Sequence, residues 1–470
     1  YFHPRDALTG GHTDVNKRHL DTRGTKLKIG YYDIVSLYPT VNALDIYPCS
    51  RPETYSYVQL CQKYSKQESE TCTDFIYRIL HSEEFCGFIK MDIQLNPLDI
   101  PVLPKRHDGK LLFANGAQEG GAYYSEELKF AFKVKAIKCV SRVRAALGYT
   151  PVRGPMKKHV EFFLRLKTIS AGVKSQAECA AFNQTCAEQG LRISITPDET
   201  SRNPGLKALA KLCLNSLWGK FGQRMDLPSS LTCTTLQQLN SIVHNPQVTE
   251  CKMEAHDETG VGGAHWIELK YKKHTPFDRP SESINCAWAA ATTANARIRL
   301  HTMLHYLSPD QVMYMDTDSC IFYNDPDNAA HKHPRDAPAN TGIKIGQGLG
   351  EWEIETKPDE AIIEYTAIGT KCYSYRTNKD KETTKMKGVP LNAINNHRLR
   401  FNTMLKLALG LKPEVKTAGF TFQKVGTCSS IATIPLERTV RATVTKRRVY
   451  GRVDTVPLNL CTMGLKRKRE

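Results

Sequence analysis

The stretch VMYMDTDSCIF, residues Val312 to Phe322, places two acids one residue apart inside an apolar run of strand character. Residues i and i+2 of a strand share a face, and a tight turn would also bring Asp316 and Asp318 close together. Two neighbouring carboxylates in apolar surroundings repel each other, so one takes up a proton unless a cation compensates. A divalent ion with oxygen ligands would do so, and a hairpin whose turn is merely acidic is the plain alternative.

A third acid follows another strand-like segment near the start of the chain. Apolar side chains of residues 27–31 alternate on the face that Asp33 continues, and Pro39 ends the pattern. Brought side by side, Asp33, Asp316 and Asp318 could hold two Mg²⁺ ions, which can activate an attacking hydroxyl and neutralise a leaving pyrophosphate. Asp33 as a strand-end acid that caps the next turn is the alternative.

A helical pattern lies between the two acidic segments, after the breaker at residues 203–205. Its apolar positions predict a buried stripe, formed by Leu206, Leu209, Cys213 and Leu217 and widened by Leu212 and Leu214. Lys207, Lys211 and Asn215 follow one another at intervals of four on a polar face, which Trp218 continues. This face suits a triphosphate with the ring beneath a base, and a solvated lysine face is the alternative.

The three segments resemble, in chain order, the three polymerase motifs of family B DNA polymerases. Residues 33–39 (DIVSLYP) resemble DxxSLYP, residues 211–219 (KLCLNSLWG) resemble KxxxNSxYG, and residues 314–319 (YMDTDS) resemble YxDTDS. The third motif lacks the YxDD form of reverse transcriptases, which argues against that class. Residues 371–373 (KCY) resemble the KxY motif that touches the primer terminus in protein-primed members, and residues 385–388 (KMKG) resemble the basic segment after it.

Within family B the chain is similar to the protein-primed type. Gly10 and Gly11 resemble a YxGG-type linker whose tyrosine is missing. Trp218, where bacteriophage relatives carry tyrosine, and residues 218–224 are similar to polymerases of Maverick/Polinton self-synthesising transposons and related adintovirus-like elements. The resemblance runs from residue 10 to residue 390, and the remainder shows only a loose similarity to a thumb.

The resemblance implies an α+β right-hand polymerase with an antiparallel-sheet palm, helical fingers and a small thumb. The expected domains are residues 1–24 as the remnant of a linker to a missing upstream exonuclease domain, 25–150 as palm with a first insertion, 151–224 as fingers, 225–345 as palm with a second insertion, and 346–470 as primer-grip region and thumb with a basic tail. No FDxE-like acidic pair precedes residue 33, so the exonuclease domain is expected to be absent from this chain.

The implied function is a template-dependent DNA polymerase that extends a primer 3′-hydroxyl by two-metal phosphoryl transfer, in protein-primed replication of a mobile or viral element. A catalytically inactive nucleic-acid-binding remnant of such an element is the alternative. The implied partners are primer–template DNA and dNTP, with a terminal protein primer as a further candidate. The implied cofactor is a pair of Mg²⁺ ions, for which Mn²⁺ can substitute.

The resemblance also assigns roles to individual residues. Asp33 and Asp318 are the expected main metal ligands and catalytic acids, with Asp316 beside them. The expected nucleotide-binding residues are Ser36, Leu37, Tyr38, Arg202, Lys207, Lys211, Asn215 and Trp218. The expected DNA-binding residues are Gly10, Gly11, Tyr314, Thr317, Lys371, Tyr373, Lys385 and Lys387. Within these sets Tyr38 is expected beneath the sugar, where its ring would exclude a 2′-hydroxyl.

Composition agrees with a nucleic-acid partner. The net charge of +17 and the pI near 9.2 favour a polyanion, although many ribosomal and chromatin proteins share such a charge. The sequence shows no apolar run of membrane-spanning length and no secretory signal, so we expect no membrane partner and no secretion. The 15 cysteines form no CxxC pair, which argues against a zinc ribbon or an iron-sulfur module. Their odd number without a secretory signal is typical of reduced thiols in the cytosol or nucleus. The basic residues 466–469 resemble a nuclear-import patch and favour the nucleus, with a solvated tail as the alternative.

Overall fold

The computed structural model describes residues 2–82, 85–224, 228–257, 265–273, 284–425 and 430–463. The glycine-rich part of the expected second insertion, residues 260–263, and the basic patch at residues 466–469 lie outside the described residues. None of the helices in the described ranges is both long and apolar enough to cross a membrane.

The elements follow one another along the chain in six groups. The first group comprises β1 (Thr13–Val15), β2 (His19–Asp21), β3 (Lys28–Ile34) and α1 (Leu37–Leu44). The second comprises β4 (Ile46–Tyr55), α2 (Tyr57–Lys63), α3 (Cys72–His81), β5 (Cys86–Leu95), β6 (Pro104–His107), β7 (Lys110–Phe113), β8 (Gly116–Tyr124), α4 (Ser125–Lys133) and β9 (Ile137–Arg153). The third comprises α5 (Lys157–Ile169), α6 (Gln176–Glu188) and α7 (Pro204–Phe221).

The fourth group comprises β10 (Ser229–Cys233), α8 (Leu236–Val243), β11 (Val248–Asp257) and β12 (His265–Lys273). The fifth comprises α9 (Cys286–Tyr306), β13 (Val312–Asp316), β14 (Ser319–Asn324), β15 (Trp352–Ile354), β16 (Ile362–Gly369), β17 (Cys372–Thr377) and β18 (Glu382–Met386). The last comprises α10 (Ala393–Arg398), α11 (Phe401–Ala408), β19 (Val415–Val425), β20 (Ser430–Val440), β21 (Arg447–Tyr450), β22 (Asp454–Pro457) and α12 (Leu460–Met463).

A nine-stranded sheet from the first and fifth groups forms the centre of the molecule. Its strand order is β1-β13-β14-β3-β16-β17-β18, with β15 paired to β3 and β2 paired to β16. All of these pairs are antiparallel, as expected for the palm. Residues 13–15 and 19–21, expected within a linker remnant, pair in this sheet and are therefore part of it.

The long helix α9 packs on one face of the central sheet. The side chain of Asn285, the residue before α9, caps its first turn by accepting a hydrogen bond from the Trp288 N–H at 3.0 Å. Leu300, Met303 and Leu304 of α9 are buried in one cluster with apolar side chains of β3, β13 and β14. This packing fixes the strands that carry the acids against a rigid helix.

Two smaller sheets flank the central one. The second group forms a four-stranded sheet of order β4-β9-β5-β8, and α2, α3 and α4 contribute to its separate apolar core. The fourth group forms a three-stranded sheet of order β10-β12-β11, against which α8 packs. These two units lie where the first and second insertions were expected, and the domain boundaries themselves remain predictions.

The last group, which lies within the predicted thumb, contacts two separate parts of the protein. The β19–β20 hairpin and α11 share an apolar cluster next to the end of β16. The β21–β22 hairpin instead returns to the start of the chain, where Thr455 N–H donates to the Asn16 carbonyl at 2.9 Å. The end of the chain therefore helps to hold β1 in place.

The helix α7 exists as predicted, but its buried stripe was predicted wrongly. Asn203 caps the helix by accepting the Leu206 N–H at 3.0 Å, and Pro204 occupies its first turn. Ala210 and Leu214 are its buried residues, whereas Leu212 is 63% exposed. Leu209 is also exposed, because α7 contacts the rest of the protein through a narrow face rather than through the whole apolar stripe.

We predict that two leucines on α7 differ sharply in their contribution to stability. Leu214→Ala should lower the free energy of unfolding by about 2–4 kcal/mol, because it removes a side chain that is only 2% exposed. Leu212→Ala, the matched control on the same helix, should change it by less than about 0.5 kcal/mol. Urea unfolding of both variants measures this, and equal losses would contradict the burial pattern described here.

Candidate active site

The central sheet brings the predicted acids to one edge of three neighbouring strands. In the strand register Asp33 of β3 is opposite Ser319 of β14, and Ser319 is opposite Asp316 of β13. Residues paired across antiparallel strands share a face, so Asp33 and Asp316 point to the same side of the sheet. Asp318 lies in the two-residue turn between β13 and β14, and its carbonyl accepts the Ile34 N–H at 2.7 Å. Two motifs that are distant in sequence therefore meet at this turn.

Asp33 and Asp318 are partly buried and repel each other. Burial raises the pKa of Asp33 to about 8, and the neighbouring charge of Asp318 adds to this shift. Burial also raises the pKa of Asp318 to about 6, with the charge of Asp316 as its second cause. Desolvated carboxylates this close favour a bound proton or a cation, so the pair has the chemistry of a divalent metal site.

Asp316 has a different set of contacts. The Lys371 ammonium pairs with its carboxylate, and the Tyr314 hydroxyl donates to the other carboxylate oxygen at 3.1 Å. Within the described ranges no three His, Cys, Asp or Glu side chains are grouped so that they could hold one metal ion. The structure therefore does not assemble Asp33, Asp316 and Asp318 as a three-ligand group, and it couples Asp316 to Lys371 instead.

Two further acids, which were not predicted from the sequence, lie at the border of the site. Glu353 of β15 is opposite Asp33 in the strand register, on the other side of β3 from Ser319. Glu355 follows β15, and its N–H donates to the Tyr31 carbonyl at 3.0 Å. Both charges raise the pKa of Asp33 further, after burial and Asp318. The alternating acids of the sequence WEIE, residues 352–355, were the available signal.

Three lysines from two helices face the start of α1. Lys167 of α5 donates to the Ser36 hydroxyl at 3.1 Å, and Ser36 takes a left-handed backbone with φ 53° at the N-cap of α1. Burial lowers the pKa of Lys167, and the charges of Lys211 and Lys207 lower it further. Lys207 and Lys211 were predicted, whereas Lys167 was missed because one lysine near a helix end is unremarkable in a sequence. The cluster is positively charged and close to the N-terminal N–H groups of α1, beginning at Leu37.

The rings of the first and second motifs stack on each other. Tyr38 and Trp218 have ring centroids 4.9 Å apart and planes inclined by 25°. Burial raises the pKa of Tyr38 to about 12, and the charge of Asp318 adds to this shift, so the phenol lies near the acids. Asn215 is exposed on α7, and Arg202 is exposed just before this helix, where its backbone pairs with Ala171.

A cavity of about 440 Å³ adjoins the lysine cluster. Lys167 and Lys207 line it, together with residues of α6 and the segment 347–349. Its lining therefore combines ammonium groups with apolar side chains that include Leu164, Phe182 and Leu349.

The predicted glycine pair lies against the acidic turn. A side-chain carbon on Gly11 would stand 2.8 Å from the Thr317 side chain, so only glycine fits without a shift. Thr317 takes a left-handed backbone with φ 61°, and its N–H donates to the His12 carbonyl at 2.8 Å. The Gly10 carbonyl accepts a hydrogen bond from Arg297 at 2.9 Å. The structure thus gives these glycines a role in supporting the turn, and their predicted contact with DNA stays a prediction.

The KxY segment lies next to the acids. As an extended segment it would present Lys371 and Tyr373, two residues apart, on one face, and the structure differs from this prediction. Lys371 lies in the turn between β16 and β17 with φ 61°, so it does not share an extended face with Tyr373. Its N–H donates to the Tyr314 hydroxyl at 2.8 Å. Tyr373 is buried, and its hydroxyl is 2.8 Å from that of Tyr31. The ammonium of Lys371 therefore lies beside Asp316, whereas the ring of Tyr373 lies in the core.

Two more predicted lysines follow on the same hairpin. Lys385 of β18 is opposite Tyr373 in the strand register, and the Lys387 N–H donates to the Lys371 carbonyl at 2.9 Å. Lys385 and Lys387 are both exposed. With Lys371 they form a basic edge beside the acidic turn, which suits phosphate groups.

Comparisons with known proteins agree with this fold. The family model for DNA polymerase type B, organellar and viral, matches residues 1–180. A sequence search of curated proteins finds no match. Among solved structures the chain is similar to Phi29 DNA polymerase complexed with primer-template DNA and incoming nucleotide substrates, with a TM-score of 0.57 and 14% identity over 94% of this chain and 62% of that chain.

The post-translocation binary complex of Phi29 DNA polymerase with primer-template DNA gives a TM-score of 0.54 and 15% identity, over 93% of this chain and 62% of that chain. The chain thus spans 62% of the length of these solved relatives. Over residues 1–180 the predicted resemblance to family B polymerases of the organellar and viral type is confirmed, and the similarity to the solved structures confirms the α+β right-hand fold. The closeness to Maverick/Polinton polymerases stays a prediction.

We predict that Asp33 makes the metal-free protein less stable as the pH rises. Its folded pKa of about 8 lies above its ordinary value of 3.8, so the folded state holds this proton more tightly than the unfolded state. The stability from that proton is full below the ordinary value and is lost as the pH rises to the folded pKa. In EDTA, the melting temperature of the natural protein should therefore fall relative to that of Asp33→Asn between about pH 5 and about pH 8. Parallel pH profiles of the two proteins would contradict the raised pKa.

Proposed function

We propose that the protein is a template-dependent DNA polymerase that adds deoxynucleotides to a primer 3′-hydroxyl. The observation that carries this proposal is the acid pair Asp33 and Asp318, held at the end of antiparallel strands beside a cluster of three lysines. Paired carboxylates suit divalent cations, and clustered ammonium groups suit a triphosphate. Transfer of a nucleotide needs both kinds of group next to each other.

The electrostatics of the acid pair fit a bound Mg²⁺, for which Mn²⁺ can substitute. The pKa values of Asp33 and Asp318 are raised by burial and by neighbouring negative charge, and a divalent cation would relieve both. The chemistry supplied by two bound ions would be activation of the primer hydroxyl and stabilisation of the leaving pyrophosphate. Glu353 and Glu355 add negative charge at the border of the same pair.

The incoming nucleotide would lie between the acids and the fingers helices. Lys167, Lys207 and Lys211 would neutralise the triphosphate, whose binding would also relieve the repulsion among these ammonium groups. The free N–H groups in the first turn of α1 would donate to phosphate oxygens. Tyr38 would lie beneath the sugar and exclude a 2′-hydroxyl, while Trp218, stacked on Tyr38, would support the base.

The primer would approach along the basic edge next to the acidic turn. Lys371 is held by Asp316 and Tyr314, so its ammonium is fixed within reach of a phosphate near the primer terminus. Lys385 and Lys387 extend the same basic edge along the hairpin. Asp316 would then position the primer grip, and Asp33 and Asp318 would hold the metal ions.

Primer–template DNA and dNTP are accordingly the proposed partners, by analogy with the complexes of Phi29 DNA polymerase with primer-template DNA and incoming nucleotides. Priming by a terminal protein in a mobile or viral element follows from the motif resemblance and belongs to this proposal. A catalytically inactive nucleic-acid-binding remnant is the second candidate, since the chain has a net charge of +17. The presence of all three expected acids, Asp33, Asp316 and Asp318, favours the active enzyme.

We predict that Asp33→Asn and Asp318→Asn each lower primer extension by at least about 10²–10³-fold, because each removes a metal-holding carboxylate. DNA binding should remain largely unchanged, since the lysine contacts to phosphate are kept. Extension of a labelled primer with Mg²⁺ and a mobility-shift titration measure the two properties. Asp327→Asn, which removes an exposed acid paired with Lys26, is the matched control. Near-normal extension by either active-site variant would contradict the assignment, and an inactive natural protein would favour the remnant.

We predict that Lys371→Ala weakens binding of the primer–template and leaves the affinity for dNTP little changed. A plot of the logarithm of the DNA-binding constant against the logarithm of salt concentration should have a slope smaller in magnitude by about one unit if a single phosphate contact is lost. Steady-state titrations of DNA and of dNTP at two salt concentrations measure this. Lys379→Ala, which breaks a surface pair with Asp359 at the other end of the hairpin, is the matched control. A change confined to dNTP affinity would place Lys371 in the nucleotide pocket.

A further inference from the structure

A buried ion pair joins three separate parts of the chain. Arg297 of α9 and Glu127 of α4 have side chains that are 1% and 2% exposed. The guanidinium donates to both carboxylate oxygens, from Nε at 2.6 Å and from Nη2 at 3.0 Å. Its remaining nitrogen, Nη1, donates to the carbonyls of Thr9 and Gly10, each at 2.9 Å. One side chain therefore ties the four-stranded domain and the central helix to the loop of residues 9–12.

This loop touches the turn that carries the acids. Gly11 packs directly on the Thr317 side chain, and the His12 carbonyl accepts the Thr317 N–H at 2.8 Å. Thr317 stands between Asp316 and Asp318 and has a left-handed backbone, a conformation that its own side chain disfavours. The loop is thus the contact that holds this strained residue in place.

The same helix holds the loop at a second point. His301 lies four residues after Arg297 on α9, and its Nε2 is 3.0 Å from Nδ1 of His12. The other nitrogen of His12 is 2.9 Å from the Asp14 carboxylate, and its ring stacks on Phe113 at 3.6 Å. Burial lowers the pKa values of both histidines, so they are neutral and anchor the loop through hydrogen bonds.

We propose that Arg297 is a positioning residue whose contacts with Glu127 and with the Thr9 and Gly10 carbonyls set the place of the acidic turn. By this contact the four-stranded domain of residues 46–153 is coupled to Asp316 and Asp318. The kinetic part of the proposal rests on the proposed polymerase function, and its structural part does not.

The positioning role of Arg297 can be distinguished experimentally from a contribution of the ion pair to core stability. Two apolar side chains of similar size can replace a buried ion pair with little loss of stability. They cannot donate to two carbonyls, however, so the loop would lose its anchor while the core stayed filled. The double variant Glu127→Leu/Arg297→Met removes the anchor without leaving an unpaired buried charge.

Amide hydrogen exchange without DNA or nucleotide tests the structural part. In the double variant the Thr317 amide should exchange at least about tenfold faster, with exchange in the other strands of the central sheet unchanged. Lys129→Met, which breaks the Lys129–Glu126 pair on the same helix α4, should leave Thr317 exchange unchanged. Arg297→Lys keeps the charge but loses the planar fork, and should raise Thr317 exchange in the same direction.

Primer extension by the same variants tests the kinetic part. The double variant should have a kcat roughly 10- to 100-fold lower, because displaced catalytic groups slow the chemical step, while KM for dNTP changes less than about threefold. Unchanged Thr317 exchange in a folded double variant, or in Arg297→Lys if the double variant does not fold, would overturn the proposal. Faster exchange with an unchanged kcat would overturn the coupling to catalysis. A natural protein without any extension activity would refute the proposed function, and the exchange result would still decide whether Arg297 holds the turn.

Discussion

The repulsion between Asp33 and Asp318 is the constraint on which the rest of the site depends. Two strands and a tight turn bring these carboxylates together although burial and neighbouring negative charge raise both pKa values. The surrounding structure supplies what such an arrangement needs. The helix α9 fills the core beneath the strands, and the loop of residues 9–12 holds the left-handed Thr317 between the acids. Carboxylates kept close together at an energetic cost are typical of a functional site that binds cations.

The two acids of the third motif have different neighbours. Asp318 lies beside Asp33, and the charge of Lys211 on α7 acts on Asp33, so cations and a triphosphate would meet there. Asp316 faces Lys371 and Tyr314, at the start of the basic edge. A single hairpin turn therefore joins the proposed chemistry to the proposed primer grip, so a shift of this turn would disturb both. Arg297, which lies outside all three motifs, supports this turn through the Gly10 carbonyl. Because Arg297 also binds Glu127, the four-stranded domain is coupled to the turn.

The sequence predicted those parts of the site that are encoded by short-range pattern. Alternating apolar residues identified β3, a continuous apolar run identified β13, and the spacing of Lys207 and Lys211 identified the polar face of α7. The pattern could not predict which face of α7 is buried, because exposure of Leu212 depends on how the fingers helices pack. Lys167, Glu353 and Arg297 were missed because only the folded chain brings them to the acids and their loop. The three-residue strands β1 and β2 are too short to show a period.

The most direct test of the central claim is the number of protons released when the protein binds Mn²⁺ at pH 7, measured by calorimetry in buffers of different ionisation enthalpy. With a folded pKa of about 8, Asp33 is mostly protonated at that pH and must give up its proton to a cation. About one proton per protein should be released, and both the proton release and the tight binding should be lost in Asp33→Asn. Tight Mn²⁺ binding without proton release, or undiminished binding by Asp33→Asn, would contradict the central claim.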